Sequence, residues 1–265
     1  MCEIFCFNSN TPKQVNQCLK CFYEHSEDHP HGWGLANVQS DEVFIDKEPI
    51  KATCSQHLKN ILSHPVVGKN VFAHIRLATM GEIISPNCHP FTEADDNNRS
   101  WMLIHNGTIF DCPKLDKYID KESGDTDSER ILLYIIDKIN EFEKDKESLS
   151  TIKERFTLLS GIVEELSKNN KLNLMIYDGD MTYIHSNMKD SLHYLRNDDG
   201  LFIASTPVSD DENWQHVEIN KLFALIDGNV IFESNPHENE FIFTPEHEKA
   251  MNEFLKSVTR DEIND

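Results

Sequence analysis

Cys2 has the most chemistry to offer. Aminopeptidase removes an initiator methionine readily before a small second residue, and Cys2 would then carry both a thiol and a free α-amine. An α-amine titrates at about 7.7–8.0 and a thiol at about 8.5. Near neutrality the amine can therefore take the thiol proton directly or through water, and one residue holds both nucleophile and base. Cys2 also suits the plainer role of a small buried side chain at the head of a strand. Asn106-Gly107, at the end of the apolar run 101–105, can set a side-chain amide beside a main-chain N–H, as an oxyanion hole requires. Asn-Gly is equally a hairpin turn. Arg76 ends another apolar run, where its guanidinium can hold a carboxylate or simply face solvent. Asp127 opens a capped helix, where its charge either complements the helix dipole or takes an ammonium group. His31-Gly32-Trp33-Gly34 reads as a turn with two positions lacking Cβ, suited to close main-chain approach.

These residues need elements to position them. The runs 3–8, 70–76, 101–105, 172–178, 201–205 and 222–226 are short, β-branched and aromatic, and bounded by turn residues, which predicts strands. Asp227-Gly228-Asn229 predicts a hairpin to 230–232, because Asp-Gly tolerates the positive φ that a tight connection demands. Thr11-Pro12-Lys13-Gln14 predicts an N-cap, a first-turn proline and a capping-box glutamine for a helix carrying Val15, Cys18, Leu19 and Phe22. A second helix is expected from Thr126, with Glu129 completing a capping box and Ile131, Leu132, Ile135, Ile136 and Ile139 on one face. A third carries Ile152, Phe156, Leu159, Val163 and Leu166, and a fourth follows Thr244-Pro245 with Met251, Phe254 and Leu255. The charged stretch 141–150 reads as a surface loop between helices. Strands and helices do not alternate as βαβ units would, so an α+β arrangement of two stacked, mainly antiparallel sheets with helices outside fits best. No repeat or linker divides the chain. The reading is one domain over residues 2–258 with an acidic, frayed tail at 259–265.

Composition narrows the partners. The 265 residues include 46 acidic and 25 basic ones, a net charge of −21, so phosphate backbones and anionic lipid would meet a repulsive field. Neither nucleic acid nor membrane is expected as a partner. Mean hydropathy is −0.51, and no apolar run approaches the roughly 20 residues that cross a bilayer. The start MCEIFCF lacks a signal-peptide pattern, so it is expected to be the translational start. The seven cysteines are an odd number without scaffold density, which fits a reducing cytoplasm.

In order along nearly the whole chain, MCEIFCF, HGWGLA, AHIRLATMG, NCHPF, WMLIHNG, GDTDSE, LNLMIYDG and LFIASTPVSDDENW resemble the class II glutamine amidotransferases of the N-terminal-nucleophile (Ntn) hydrolase superfamily. The stand-alone YafJ-like members are the most similar. The resemblance implies a four-layer αββα sandwich in which Cys2, once Met1 is removed, attacks the γ-carboxamide of glutamine to give a thioester and ammonia. By motif position it implies an oxyanion hole from the Asn106 side chain and the Gly107 N–H. Arg76 would pair with the substrate α-carboxylate, Asp127 with its α-ammonium, and Thr79 would help fix the carboxylate. His31, Trp33, His89 and His105 are assigned to loop positioning. The chain departs from synthase-linked relatives at Leu77, where an aromatic is usual, and at Met80, where a polar residue is frequent, so closure over substrate is expected to differ.

The resemblance leaves the ammonia acceptor open and leaves no room for a synthase domain. A glutaminase serving a separate synthase subunit, a γ-glutamyl amide or peptide hydrolase, and a fold kept for binding all remain, and no cofactor is implied. A metal-binding protein is the reading from another class, on 13 histidines and Cys18-x-x-Cys21. Structural zinc usually wants a second such pair, and Cys18 falls on a helix's apolar stripe. In Asn87-Cys88-His89, adjacent side chains point to opposite faces and chelate poorly. No metal site is expected.

Overall fold

The computed structural model describes residues 2–39 and 42–261, without the side chains of Ala250 and 255–261. In chain order the elements are β1 (Glu3–Gln14), α1 (Asn16–Glu24), β2 (Trp33–Gln39), β3 (Glu42–Glu48), α2 (Gln56–Leu62), β4 (Val67–Ile75), β5 (Phe91–Ala94) and β6 (Ser100–Thr108). Then come α3 (Asp127–Glu143), α4 (Ile152–Leu166), β7 (Lys171–Tyr177), β8 (Thr182–Ser186), β9 (His193–Asn197), β10 (Gly200–Ala204), β11 (Gln215–His216), β12 (Lys221–Ile226), β13 (Asn229–Glu233) and α5 (Pro245–Asp261).

One sheet has the order β11-β9-β10-β1-β4-β2-β3 and the other β13-β12-β8-β7-β6-β5, with antiparallel pairing throughout both. Strand alternation builds the layers. Ile4 and Cys6 of β1 face the second sheet, where they pack with Met102, Ile104, Met175 and Ile184. Phe5 and Phe7 face the opposite way, against Leu19 and Phe22 of α1. On the far side Leu103, Leu174 and Ile176 pack under Ile131, Ile135, Leu159 and Val163 of α3 and α4. Three apolar seams thus separate four layers, the expected αββα order. Central strands buried on both faces carry nearly continuous apolar runs, which is why they were legible.

Long-range pairing overrides one helix start. Thr11-Pro12 caps nothing: β1 continues to Gln14, with Lys13 opposite Gly68 and Gln14 opposite Val67. The Val15 N–H donates to the Val66 carbonyl at 3.0 Å, and Val15 is the N-cap of α1, without a side-chain bond. Thr126 caps α3 as expected, but the Glu129 carboxylate accepts from Ser123 and Gly124 N–H rather than closing a capping box. A full box occurs instead at Thr151 and Glu154, heading α4. Trp33-Gly34 opens β2 and Asn106-Gly107 lies within β6, so neither is a turn. The hairpin forms as read, with φ of 52° at Asp227 and 76° at Gly228. The structure carries α5 to Asp261; residues 262–265 of the expected frayed tail lie outside the described residues.

Candidate active site

Strand ends gather the candidate residues at one end of the sandwich. Cys2 directly precedes β1, and the pairings Glu3–Ile75 and Trp33–Ile75 bring Cys2, Arg76 and Gly32 to the same end of three neighbouring strands in the first sheet. In the second sheet, Asn106 opposite Asn173 and Gly107 opposite Leu172 place the end of β6 against the start of β7. Ser205, just after β10, joins the two sheets. Its hydroxyl oxygen accepts from the Ile4 N–H at 3.1 Å and from Asn106 Nδ2 at 3.0 Å, and its own N–H donates to the Ile4 carbonyl at 2.9 Å. The carboxamide of Asn106 is thereby bound to the chain two residues from Cys2. The Cys2 thiol is half-buried and donates to the Leu77 carbonyl at 3.5 Å.

Asn106 is held from its other end too. Lys171 Nζ donates to Asn106 Oδ1 at 2.9 Å and to its main-chain oxygen at 3.1 Å. Lys171 is only 1% exposed. Burial draws its pKa down to about 7, against the opposing pull of the nearby Cys2 charge. Sequence reasoning missed this residue, whose one signal was a lysine opening the apolar run 172–178. Gly107 is obligatory by close approach, since a Cβ there would stand 2.0 Å from the Lys171 carbonyl oxygen.

Arg76 is buried rather than free at the surface. Its Nη1 donates to the Glu82 carbonyl at 2.9 Å and Nη2 to those of Met80 and Gly81 at 2.8 and 3.1 Å, so residues 80–82 wrap around the guanidinium. The same loop is held by His31, whose Nδ1 accepts the Ala78 N–H at 2.9 Å. The Thr79 hydroxyl lies 3.1 Å from that of Thr108 at the end of β6. Asp127, first residue of α3, takes the Ile109 N–H at 2.8 Å and the Ser128 hydroxyl at 3.2 Å. His105 Nδ1 stands 3.0 Å from Ser128 Oγ and Nε2 3.3 Å from the Lys171 carbonyl. Burial lowers the His105 pKa, with the Asp127 charge opposing.

His89 works through packing. Its ring stacks on His74 at 3.9 Å and meets Phe91 edge-on, and among the described residues neither of its nitrogens has a hydrogen-bond partner. Burial holds both histidines well below their ordinary pKa. Lys47 secures the segment by donating to the Cys88 and Pro90 carbonyls at 2.7 and 3.2 Å. Trp33 is not brought to the site. It is fully buried beneath α1, edge-on to Tyr23, with its indole N–H donated to Glu48.

A half-buried thiol, two N–H sources, a buried guanidinium and a buried carboxylate at one end of the sandwich suit acyl transfer from an amide whose substrate carries both an ammonium and a carboxylate. A surface groove of about 920 Å³ beside α3 and α4 contains none of these residues. Among the described residues, no group of three or more His, Cys, Asp or Glu side chains is placed to hold a metal ion. Cys18 and Cys21 pack against the seam under α1. No described helix is long and apolar enough to cross a membrane.

The Escherichia coli protein YafJ is 23% identical over 246 residues, covering 82% of this chain and 94% of its own. The gamma-glutamyl-hercynylcysteine sulfoxide hydrolase of Mycolicibacterium smegmatis is 28% identical over 163 residues, covering 61% of this chain and 62% of its own. Of solved structures, the glutamine phosphoribosylpyrophosphate amidotransferase of B. subtilis superposes with a TM-score of 0.62 at 17% identity, over 88% of this chain and 49% of that one. A glutamine aminotransferase class-II domain protein from Silicibacter pomeroyi gives 0.57 at 19%, over 88% and 98%. These likenesses show a shared fold. The family model for class-II glutamine amidotransferases matches residues 1–199, and the chain belongs to that family.

Proposed function

We propose that the protein releases ammonia from the γ-carboxamide of glutamine through a thioester on Cys2. The observation that carries this reading is the Ser205 bridge, which ties the Asn106 carboxamide to the strand led by Cys2. After Met1 is removed, the α-amine of Cys2 takes the thiol proton as Sγ bonds to the amide carbon. The oxygen that becomes negative is met by Asn106 Nδ2 and the Gly107 N–H. As the C–N bond breaks, the protonated α-amine gives its proton to the departing nitrogen and ammonia leaves. Water, deprotonated by the same amine, then adds to the thioester; the C–S bond breaks and glutamate is released. Asp127 binds the substrate ammonium and Arg76 its carboxylate. Thr79 helps to fix that carboxylate, and His31 and His89 act on the segments that flank them. Ammonia goes to water or to a separate synthase subunit. Seven free cysteines fit a reducing cytoplasm.

The likeness to the M. smegmatis hydrolase supports a second reading, hydrolysis of γ-glutamyl amides or peptides by the same nucleophile. Both readings present the same γ-glutamyl head. Alkylation by 6-diazo-5-oxo-norleucine, located by mass spectrometry, tests the nucleophile: a single adduct on a terminal Cys2 is expected, and none, or one elsewhere, refutes it. Ammonia release from glutamine, measured against amine release from γ-glutamyl peptides, separates the two substrates.

A further inference from the structure

We propose that Lys171 is a positioning residue that fixes which end of the Asn106 carboxamide is turned toward the reacting oxygen; this rests on the oxyanion role given to Asn106 above. Lys171 occupies a place where a lysine is costly. It opens β7, is almost wholly buried, and gives its hydrogen bonds to the two oxygens of Asn106. A methionine would fill a similar volume without burying a charge, and buried charges without tight pairing usually weaken a fold.

What the lysine supplies is directionality. An ammonium has three donors and no acceptor, whereas a carboxamide has one donor end and one acceptor end of nearly the same shape. Beside Nζ only Oδ1 can lie, since a half-turn of the amide would set N–H against N–H. Ser205 cannot make that choice, because a hydroxyl either accepts or donates. With Oδ1 held by Lys171, Nδ2 falls on the Ser205 side and donates one hydrogen there. Its second hydrogen remains for an oxyanion. Flipped, the amide would present Oδ1 to a developing negative charge and repel it.

The lock has a pH limit. The titratable groups facing Lys171 are Cys2 ahead of β1 and His105 of β6, with Asp127 beyond His105. As pH rises through about 7 the ammonium loses its proton. The free amine can then accept as well as donate, and the preference for one amide orientation weakens.

Lys171→Met retains bulk and removes the donor. The expected result is a kcat for ammonia release lowered about 10²-fold, the size of a lost oxyanion donor, with KM for glutamine little changed and Tm unchanged or raised. Because Lys171 acts through Asn106, adding Lys171→Met to Asn106→Ala should slow the enzyme no further. Full additivity, or wild-type kcat in Lys171→Met, would overturn the proposal. A second readout needs no turnover. In 1H–15N spectra the Asn106 side-chain amide, assigned by its loss in Asn106→Ala, should titrate in the wild type near pH 7 and shift in Lys171→Met. An amide signal that is the same in wild type and Lys171→Met defeats the lock, and Lys171→Leu serves as the second variant if Lys171→Met does not fold. A titrating signal in a protein without glutaminase activity leaves the lock standing and removes only the functional reading beneath it.

Discussion

Asn106 Nδ2 donates to Ser205 Oγ at 3.0 Å, a hydrogen bond that passes from the second sheet to the loop just after β10 in the first. The same oxygen takes the Ile4 N–H, so one hydroxyl sets the spacing between β1 and β6. Ser205→Ala would orphan two donors, at about 1–3 kcal/mol each where they are buried. Thermal denaturation should show a lower Tm and steady-state assay a lower kcat. Full activity with an unchanged Tm would show that the bridge positions nothing.

Cys2→Ala removes the sulfur and little volume. Ammonia release should vanish while Tm stays close to that of the wild type, and intact mass should show Cys2 as the first residue of active protein. Retained turnover in the variant would contradict the mechanism.

Asn106→Ala deletes the proposed oxyanion donor, and losses of about 10²–10³ in kcat are typical of such a donor. A drop below about tenfold would place the negative oxygen elsewhere.

The loop contacts of Arg76 and its proposed grip on the substrate carboxylate can be separated. Arg76→Ala leaves the carbonyls of Met80, Gly81 and Glu82 without their donor, so limited proteolysis should cut the 77–82 loop faster. In addition, kcat/KM should fall further for glutamine than for an analogue whose α-carboxylate is amidated. Equal losses on both substrates would confine the arginine to loop building.

Glu3, next to Cys2, pairs with His25 at 2.9 Å. The Glu3 bond raises the His25 pKa against burial. Burial pushes Glu3 up, but the bond and charge of His25, together with His29 and the Thr206 hydroxyl, outweigh it and the net shift is down. His25 thus contributes fully below its ordinary 6.5 and loses that contribution as pH rises through its raised value. Glu3 contributes above 4.5 and loses it as pH falls through its lowered value. Both shifts favour the fold between these limits. Urea denaturation should show the stability gap between wild type and His25→Gln narrowing from about pH 5.5 to pH 8.5; a constant gap would mean that the pair contributes nothing.

Features with short-range causes were legible from the amino-acid sequence. Asp227-Gly228 turns because those residues tolerate positive φ. Thr126 caps α3 through a bond to an N–H three residues ahead, and the double-sided apolar runs could only be buried strands. The ordered motifs also sufficed to suggest the family. Tertiary structure alone decided the meaning of residues whose partners are remote. Thr11-Pro12 could have begun a helix until β4 claimed the neighbouring backbone, and Asn106-Gly107 could have been a turn until β7 paired with it. Arg76 could have faced water until the 80–82 carbonyls closed over it, and Lys171 showed no role until its ammonium met Asn106. The physical reason is range. Caps and turns are settled within about four residues, whereas burial and hydrogen-bond satisfaction depend on groups that only folding brings together.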